Sequence, residues 1–202
     1  MCVLDTCFQM EKEGNRVTYL KVDQNGLFDL DELQKAICED TILISIMTVQ
    51  NEIGLIQPMA EIGAMAAEHK VLLHSDAAQA LGKIPLDVKA MNINLMSITG
   101  HKVYGPMGLG ALYVSNKPRV RLEPVFNGGG QEKNLRSGTL PPPLCVGFGK
   151  TCELAVTEMP TEAKSLEKMR DDLLERLTTK LDGIHINGSM ENRVSGNLNI
   201  SI

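Results

Sequence analysis

The sequence predicts an α/β fold, in which a mostly parallel sheet has helices on both faces and is followed by the start of a smaller α/β domain. Over the first two-thirds of the 202 residues, short β-rich runs alternate with helical patterns. This order is typical of right-handed crossovers between parallel strands. The run at residues 41–49 (TILISIMTV) is almost wholly apolar, as expected of a strand that is covered on both faces.

The predicted elements follow one another at regular intervals. Strands are expected at residues 17–23, 41–49, 71–76, 93–99, 111–114, 184–187 and 197–202. Helices or short helical pieces are expected from about residue 29, from Pro58, and at residues 78–83, 86–91, 144–159 and 161–181. A turn at Asn25 and Gly26 precedes the first of these helices, because Asn-Gly pairs favour tight turns.

A division into two domains is predicted near residue 150. Residues 1–150 hold the alternating pattern and form the large domain. Residues 151–202 hold an amphipathic helix and two short strands, which cannot close a layer by themselves. We therefore expect residues 151–202 to be the start of a second, truncated domain.

Composition excludes several classes of function. There are 20 Lys and Arg against 25 Asp and Glu, which gives a net charge of −5, so nucleic acid is not an expected partner. No apolar run approaches the ~20 residues that span a bilayer, and the first residues do not resemble a signal or transit peptide.

The cysteines give no sign of a metal site or a disulfide framework. The five are Cys2, Cys7, Cys38, Cys145 and Cys152. They lack the close pairing of zinc ligands, and their number is odd. We expect them to be reduced and mostly buried, as in an intracellular protein.

Polar residues follow three of the predicted strands. Asn51 follows the first, Asp76 ends the second with Gln79 three residues later, and Thr99 ends the third, just before Gly-His101-Lys102. The carboxyl ends of parallel strands form a ligand crevice, so these side chains are expected to gather at one edge. Because it follows a buried strand, Lys102 is expected to be partly buried with a lowered pKa.

An acid, a lysine, an amide and a hydroxyl at one sheet edge suit pyridoxal phosphate. The lysine forms a Schiff base with the aldehyde of this cofactor, and an acid keeps its pyridine nitrogen protonated. Taken singly, each residue has an ordinary alternative, such as a surface lysine or a helix-capping aspartate. The glycine-rich run GPMGLG (105–110) precedes a strand, so it is no dinucleotide fingerprint.

Four longer segments extend this pattern to a known family. QNEIGLIQP (50–58), HSDAAQALGKIPLDV (74–88), SITGHKVYGPMGLGALYV (97–114) and GGGQEKNLRSGTLP (128–141) closely resemble the NifS/IscS-type cysteine desulfurases. These belong to the class-V aminotransferase family of fold-type I pyridoxal phosphate enzymes. The resemblance covers the chain to about Met159 and continues more loosely beyond it. It implies that residues 1–150 are the cofactor-binding large domain.

The resemblance implies a role for each candidate residue around the cofactor ring. Lys102 corresponds to the Schiff-base lysine and is the implied catalytic residue. Asp76 corresponds to the acid on the pyridinium nitrogen, and Gln79 to the donor to the phenolic oxygen. Asn51 corresponds to the amide beside the ring.

Three further residues correspond to ligands of the cofactor phosphate. Thr99, where the family often has Ser, and His101 belong to the same subunit as the lysine. Thr139 corresponds to a ligand that crosses the interface of a homodimer. Arg136 lies in the same segment, but no chemistry is assigned to it.

The implied activity is that of a cysteine desulfurase, a transferase that converts L-cysteine to L-alanine and passes the sulfur to an enzyme cysteine as persulfide. The implied uses are iron–sulfur cluster assembly and sulfur transfer, with a scaffold or another sulfur-acceptor protein as partner and no nucleic acid or membrane. The implied location is the cytoplasm in a bacterium or the mitochondrion in a eukaryote. Two alternatives stay open, a selenocysteine lyase of the same fold and a non-catalytic truncated fragment.

The sequence also departs from the family at both ends. In the family, a phosphate-binding loop and a ring-stacking histidine precede VLDTC, and the persulfide cysteine and substrate-binding arginine follow NISI. None of the five cysteines inherits the persulfide role. We therefore expect the 202-residue chain to be a central fragment that does not turn over L-cysteine by itself.

Overall fold

The computed structural model describes residues 2–202, with side chains from residue 3 onwards. The helices are α1 (Cys2–Lys12), α2 (Leu30–Ala36), α3 (Met59–Glu68) and α4 (Pro142–Lys180), with a short 3-10 helix at Glu132–Asn134. The strands are β1 (Leu43–Met47), β2 (Leu72–Asp76), β3 (Leu95–Thr99), β4 (Gly110–Val114), β5 (His185–Ile186) and β6 (Ile200–Ser201).

The main sheet has four strands in the order β1-β2-β3-β4. The first three are parallel and β4 is antiparallel to β3, whereas β5 and β6 form a separate antiparallel pair. The prediction of an α/β fold with a mostly parallel sheet is confirmed. No helix within the described residues is both long and apolar enough to cross a membrane.

Helix α3 covers one face of the sheet and forms the core with it. Asp29 caps α2 by accepting a hydrogen bond from Asp31 N–H, and α3 begins directly after Pro58, its N-cap residue, within one residue of the predicted start. From α3, Ile62 is completely buried, as is Leu73 from β2. The cluster around them contains Leu33, Ile44, Val49, Met59, Ala66, Val71, Ala77, Ala80, Ile93, Met96 and Val194.

The opposite face of the sheet is partly open. The prediction that the strand at residues 41–49 is covered on both faces is therefore wrong for the described residues. Leu43 of β1 is 45% exposed, whereas its neighbour Ile44 is buried. On the open face, Ser45 Oγ lies 2.8 Å from His74 Nδ1, and His74 Nε2 lies 3.0 Å from Ser97 Oγ. These contacts link the three parallel strands through one imidazole ring.

Several predicted elements differ from the structure. Residues 17–23 form no strand, and only an isolated bridge joins Val22 to Phe28. Residues 78–83 and 86–91 form hydrogen-bonded turns instead of helices.

The two helices predicted at residues 144–159 and 161–181 are one helix, α4, which continues through Pro160. A proline inside a helix removes one backbone hydrogen bond and need not end the helix when the flanking turns keep theirs. Residues 150 and 151 also lie within α4, and the division into two domains near this point stays a prediction.

The described cysteines are free, as predicted, but the expectation that they are buried is wrong. Cys38 is exposed, and Cys7, Cys145 and Cys152 are only partly buried. The side chain of Cys2 lies outside the described part of the chain.

Candidate active site

Three of the predicted site residues stand at neighbouring positions along one edge of the sheet. Asp76 is the last residue of β2, and it pairs in register with Met47 of β1 and Ser97 of β3. Thr99 ends β3, and Asn51 lies in the turn that follows β1. The parallel order of the strands therefore places these ends side by side, as the sequence predicts.

The turn after β1 is shaped by the side chain of Gln50. Its Oε1 accepts hydrogen bonds from the backbone N–H groups of Glu52 and Ile53, each at 2.6 Å. Gly54 closes the turn with φ +66°, a conformation that favours glycine. This geometry leaves Asn51 exposed at the tip of the turn.

A segment from the far end of the chain braces the same turn. Asn197 Nδ2 donates to the carbonyl of Glu52 at 2.9 Å, and a Cβ on Gly54 would lie 2.5 Å from the Asn197 side chain. Asn197 Oδ1 in turn accepts a hydrogen bond from buried Arg193 at 3.2 Å. Arg193 also donates to the carbonyls of Ser189 and Asn187, so the brace is itself rigidly held.

Asp76 and Gln79 occupy the turn that follows β2. Asp76 Oδ1 accepts a hydrogen bond from Ala78 N–H at 2.9 Å, while Oδ2 accepts none from the described residues. Gln79 Oε1 accepts a hydrogen bond from Lys83 Nζ at 2.6 Å. Burial lowers the pKa of Lys83, and the positive charge of Lys102 lowers it further.

The turn after β3 presents the predicted lysine to solvent. Thr99 Oγ1 lies 2.9 Å from His101 Nδ1, so the two predicted phosphate ligands are adjacent. The turn closes with Val103 N–H donating to the carbonyl of Gly100 at 3.1 Å, and it buries Val103. Lys102 is consequently exposed, and its predicted burial is wrong.

A cavity of about 440 Å³ joins residues from all of these turns. Its lining includes Asn51, Gln79 and Lys102 among the predicted site residues, together with Lys83. The opposite wall is formed by α4 and by residues 194–197. Asp76, Thr99, His101 and Thr139 are not part of the lining.

Thr139 lies apart from this cavity, on an exposed loop. The loop has internal order, because Gln131 Oε1 accepts a hydrogen bond from Gly138 N–H at 3.0 Å and Ser137 Oγ donates to the carbonyl of Phe126 at 3.1 Å. The roles predicted for Thr139 and for the other site residues stay predictions.

Sequence reasoning missed Lys83 and Asn197. The spacing of Gln79 and Lys83 could have revealed the first, because side chains four residues apart meet on a helical turn. No local signal reveals Asn197, whose contact with Glu52 spans 145 residues.

The chain is similar in sequence to cysteine desulfurases over almost its whole length. "Cysteine desulfurase, mitochondrial" of Arabidopsis thaliana is 56% identical over 200 residues, which are 99% of this chain and 44% of that protein. "Cysteine desulfurase IscS" of Rickettsia rickettsii (strain Iowa) is 50% identical over 200 residues, again 99% of this chain and 49% of that protein. The chain thus spans about half the length of these relatives.

Solved structures also resemble this chain over almost its whole length. A protein described as "SspA in complex with cysteine" superposes with a TM-score of 0.85 at 41% identity, covering 98% of this chain and 55% of that one. The profile of the family described as "Aminotransferase class-V" matches residues 3–202. With nearly every residue matched, the chain belongs to the class-V aminotransferase family.

Proposed function

We propose that this chain forms the cofactor-binding part of a cysteine desulfurase, which uses pyridoxal phosphate to convert L-cysteine to L-alanine and passes the sulfur to an enzyme cysteine as persulfide. The observation that carries the proposal is the meeting of Asn51, Gln79 and Lys102 around one cavity at the carboxyl edge of a parallel sheet. The names of the relatives, and the cysteine bound to one structural neighbour, support the choice of substrate.

The side chains present fit pyridoxal phosphate. Lys83 and Lys102 give this edge two ammonium groups, which suits the phosphate of the cofactor and the carboxylate of an amino acid. Asp76 keeps Oδ2 free of hydrogen bonds from the described residues, and Oδ1 is fixed by Ala78 N–H. A carboxylate with one oxygen fixed and one available is suited to hold a protonated ring nitrogen.

Each residue would have a distinct task at the site. Lys102 Nζ would hold the cofactor covalently, and Asp76 would keep a proton on its ring nitrogen. Gln79 would donate to the phenolic oxygen, and Asn51 would contact the cofactor. The bound cofactor supplies an electron sink for the electrons released when a bond of the substrate breaks.

The phosphate is bound by hydroxyl and imidazole donors. Thr99 Oγ1 and His101 Nδ1, which lie 2.9 Å apart, can approach one phosphate together. Thr139 is proposed to complete this site from a second subunit. Its exposed loop agrees with that role, since a two-fold interface would supply each site with the loop of the other subunit.

The proposed partners and location follow the relatives. We propose a homodimer that delivers sulfur to an iron–sulfur scaffold or another acceptor protein. A bacterial protein of this kind would work in the cytoplasm and a eukaryotic one in the mitochondrion. The name of the Arabidopsis relative includes the word "mitochondrial".

Borohydride reduction tests the proposal directly. After incubation with pyridoxal phosphate and reduction, mass spectrometry of peptides is expected to find the cofactor on Lys102, and Lys102→Ala is expected to abolish the label. Lys89→Ala is the matched control, because Lys89 is an exposed lysine away from the cavity lining. Unchanged labelling of Lys102→Ala at another lysine would contradict the assignment.

A further inference from the structure

Lys83 is a partly buried lysine without an acidic partner. No described carboxylate forms an ion pair with its ammonium group, although four other ion pairs are found in the described part of the chain. Its hydrogen bond goes to the neutral amide of Gln79, 2.6 Å from Nζ to Oε1. Lysines removed from water are usually paired with acids, so this arrangement requires an explanation.

The turn that carries Lys83 does not need its side chain. Backbone hydrogen bonds close the turn, since Lys83 N–H and Ile84 N–H both donate to the carbonyl of Ala80, at 3.0 and 3.1 Å. Two further backbone bonds from Ala80 and Leu81 to the carbonyl of Ala77 precede them. A purely structural role for the ammonium group is therefore not required.

The chemistry of the two side chains fixes the orientation of the Gln79 amide. An ammonium group has three donors and no acceptor, whereas a primary amide has a donating and an accepting end. Only Oε1 can face Lys83, so Nε2 with its two hydrogens is directed elsewhere. Without Lys83 the two orientations of the amide, related by a flip, would compete.

We propose that Lys83 is a positioning residue, which holds the Gln79 amide with its Nε2 donor towards the phenolic oxygen of the bound cofactor. The inference rests on the proposed function, because it acts on pyridoxal phosphate through Gln79. Its positive charge adds to the effect by favouring negative charge on that oxygen. Gln79, Lys83 and Lys102 line the same cavity, which supports this arrangement, and burial together with the neighbouring charge of Lys102 lowers the pKa of Lys83.

The test compares Lys83→Met with Lys83→Arg in the full-length protein loaded with pyridoxal phosphate. The measurement is the pH titration of the visible absorption band of the bound cofactor, together with the cofactor dissociation constant. Lys83→Met loses the fixed Nε2 donor and a nearby positive charge, and both losses make protonation easier, so this variant is expected to raise the pKa of the band by roughly one unit and to weaken cofactor binding about tenfold. Lys83→Arg keeps charge and donors and is expected to restore most of both.

A double variant shows whether Lys83 acts through Gln79. In a Gln79→Leu background, Lys83→Met is expected to shift the band less than it does alone, because the amide it orients is gone and only the loss of its charge remains. Lys89→Met removes an exposed lysine charge as the control and is expected to leave the titration unchanged. If Lys83→Met does not fold by circular dichroism, Lys83→Gln, which can bind either end of the amide, replaces it.

The outcomes separate this inference from the proposed function. A normal cofactor band in the unmodified protein with the same titration in Lys83→Met overturns the positioning role and leaves the proposed function standing. Full additivity of the two substitutions also overturns it. If the unmodified protein binds no cofactor, both the proposed function and this inference are wrong.

Discussion

Replacing Gly63 by alanine sets two effects of known size against each other. In a helix, alanine is favoured over glycine by about 0.5–1 kcal/mol. At this position of α3, however, a Cβ atom would lie 1.8 Å from the carbonyl oxygen of Met91 and 2.7 Å from its carbonyl carbon. Both are backbone atoms, and Met91 N–H is tied to the carbonyl of Asp87 at 2.9 Å, so the obstacle cannot rotate away.

The clash is expected to outweigh the gain in helix propensity. Forcing extra volume into a packed interface costs about 1–3 kcal/mol, and this contact is well inside the 3.0 Å below which real Cβ atoms essentially never lie. Gly63→Ala is therefore expected to lower the free energy of unfolding by about 1–2 kcal/mol. The reason is that α3 and the turn at residues 87–92 must separate.

Gly149 provides the matched control for this experiment. It is also a helical glycine, in α4, and a Cβ there would meet nothing within 4 Å. Gly149→Ala is expected to raise the free energy of unfolding by about 0.5–1 kcal/mol, as measured by urea unfolding followed by circular dichroism. A Gly63→Ala protein as stable as Gly149→Ala would refute the packing of α3 against Met91.

Two further predictions concern titratable side chains. Burial lowers the pKa of His74, so the unfolded chain takes up a proton at a higher pH than the folded chain. The contribution of His74 to stability is therefore full above the ordinary histidine pKa of about 6.5 and falls as the pH drops below it towards the pKa of His74 in the folded chain. His74→Gln is expected to flatten this part of a curve of melting temperature against pH. The hydrogen bond from Thr41 and the charge of Arg16 lower the pKa of exposed Cys38, whereas burial raises that of Cys152. Iodoacetamide near neutral pH is therefore expected to alkylate Cys38 faster than Cys152, and Arg16→Gln is expected to slow the reaction of Cys38; faster alkylation of Cys152 would contradict this.

The buried strands could be predicted because a short run of apolar residues directly indicates a strand that is shielded from water. Strands β2 and β3 lie inside the runs predicted at residues 71–76 and 93–99. A strand also needs a partner, however, and the run at residues 17–23 shows the limit of the pattern. Only Val22 forms a bridge there, and it is 58% exposed. Composition favours an extended chain, but pairing depends on neighbours that the local sequence does not specify.

The continuity of α4 could not be predicted from local rules. Pro160 satisfies the usual criterion for a helix boundary, and the segments on each side have helical periodicity of their own. Whether two such segments bend, separate or continue depends on what they pack against. Here the same cavity is lined by residues on both sides of the proline, namely Leu154 and Ala155 before it and Ala163 and Leu166 after it. Both parts of the helix therefore face one cavity.

In the candidate site, strand topology determines which residues meet, whereas packing determines the contacts that support them. The sequence predicts that Asn51, Gln79 and Lys102 meet, because each follows a parallel strand and parallel strands end at one edge. The supports of these residues do not follow from that rule: Lys83 acts within a turn, and Asn197 reaches the Asn51 turn across 145 residues. Topology thus gathers the reactive groups, while their orientation is set by contacts that depend on the folded chain as a whole.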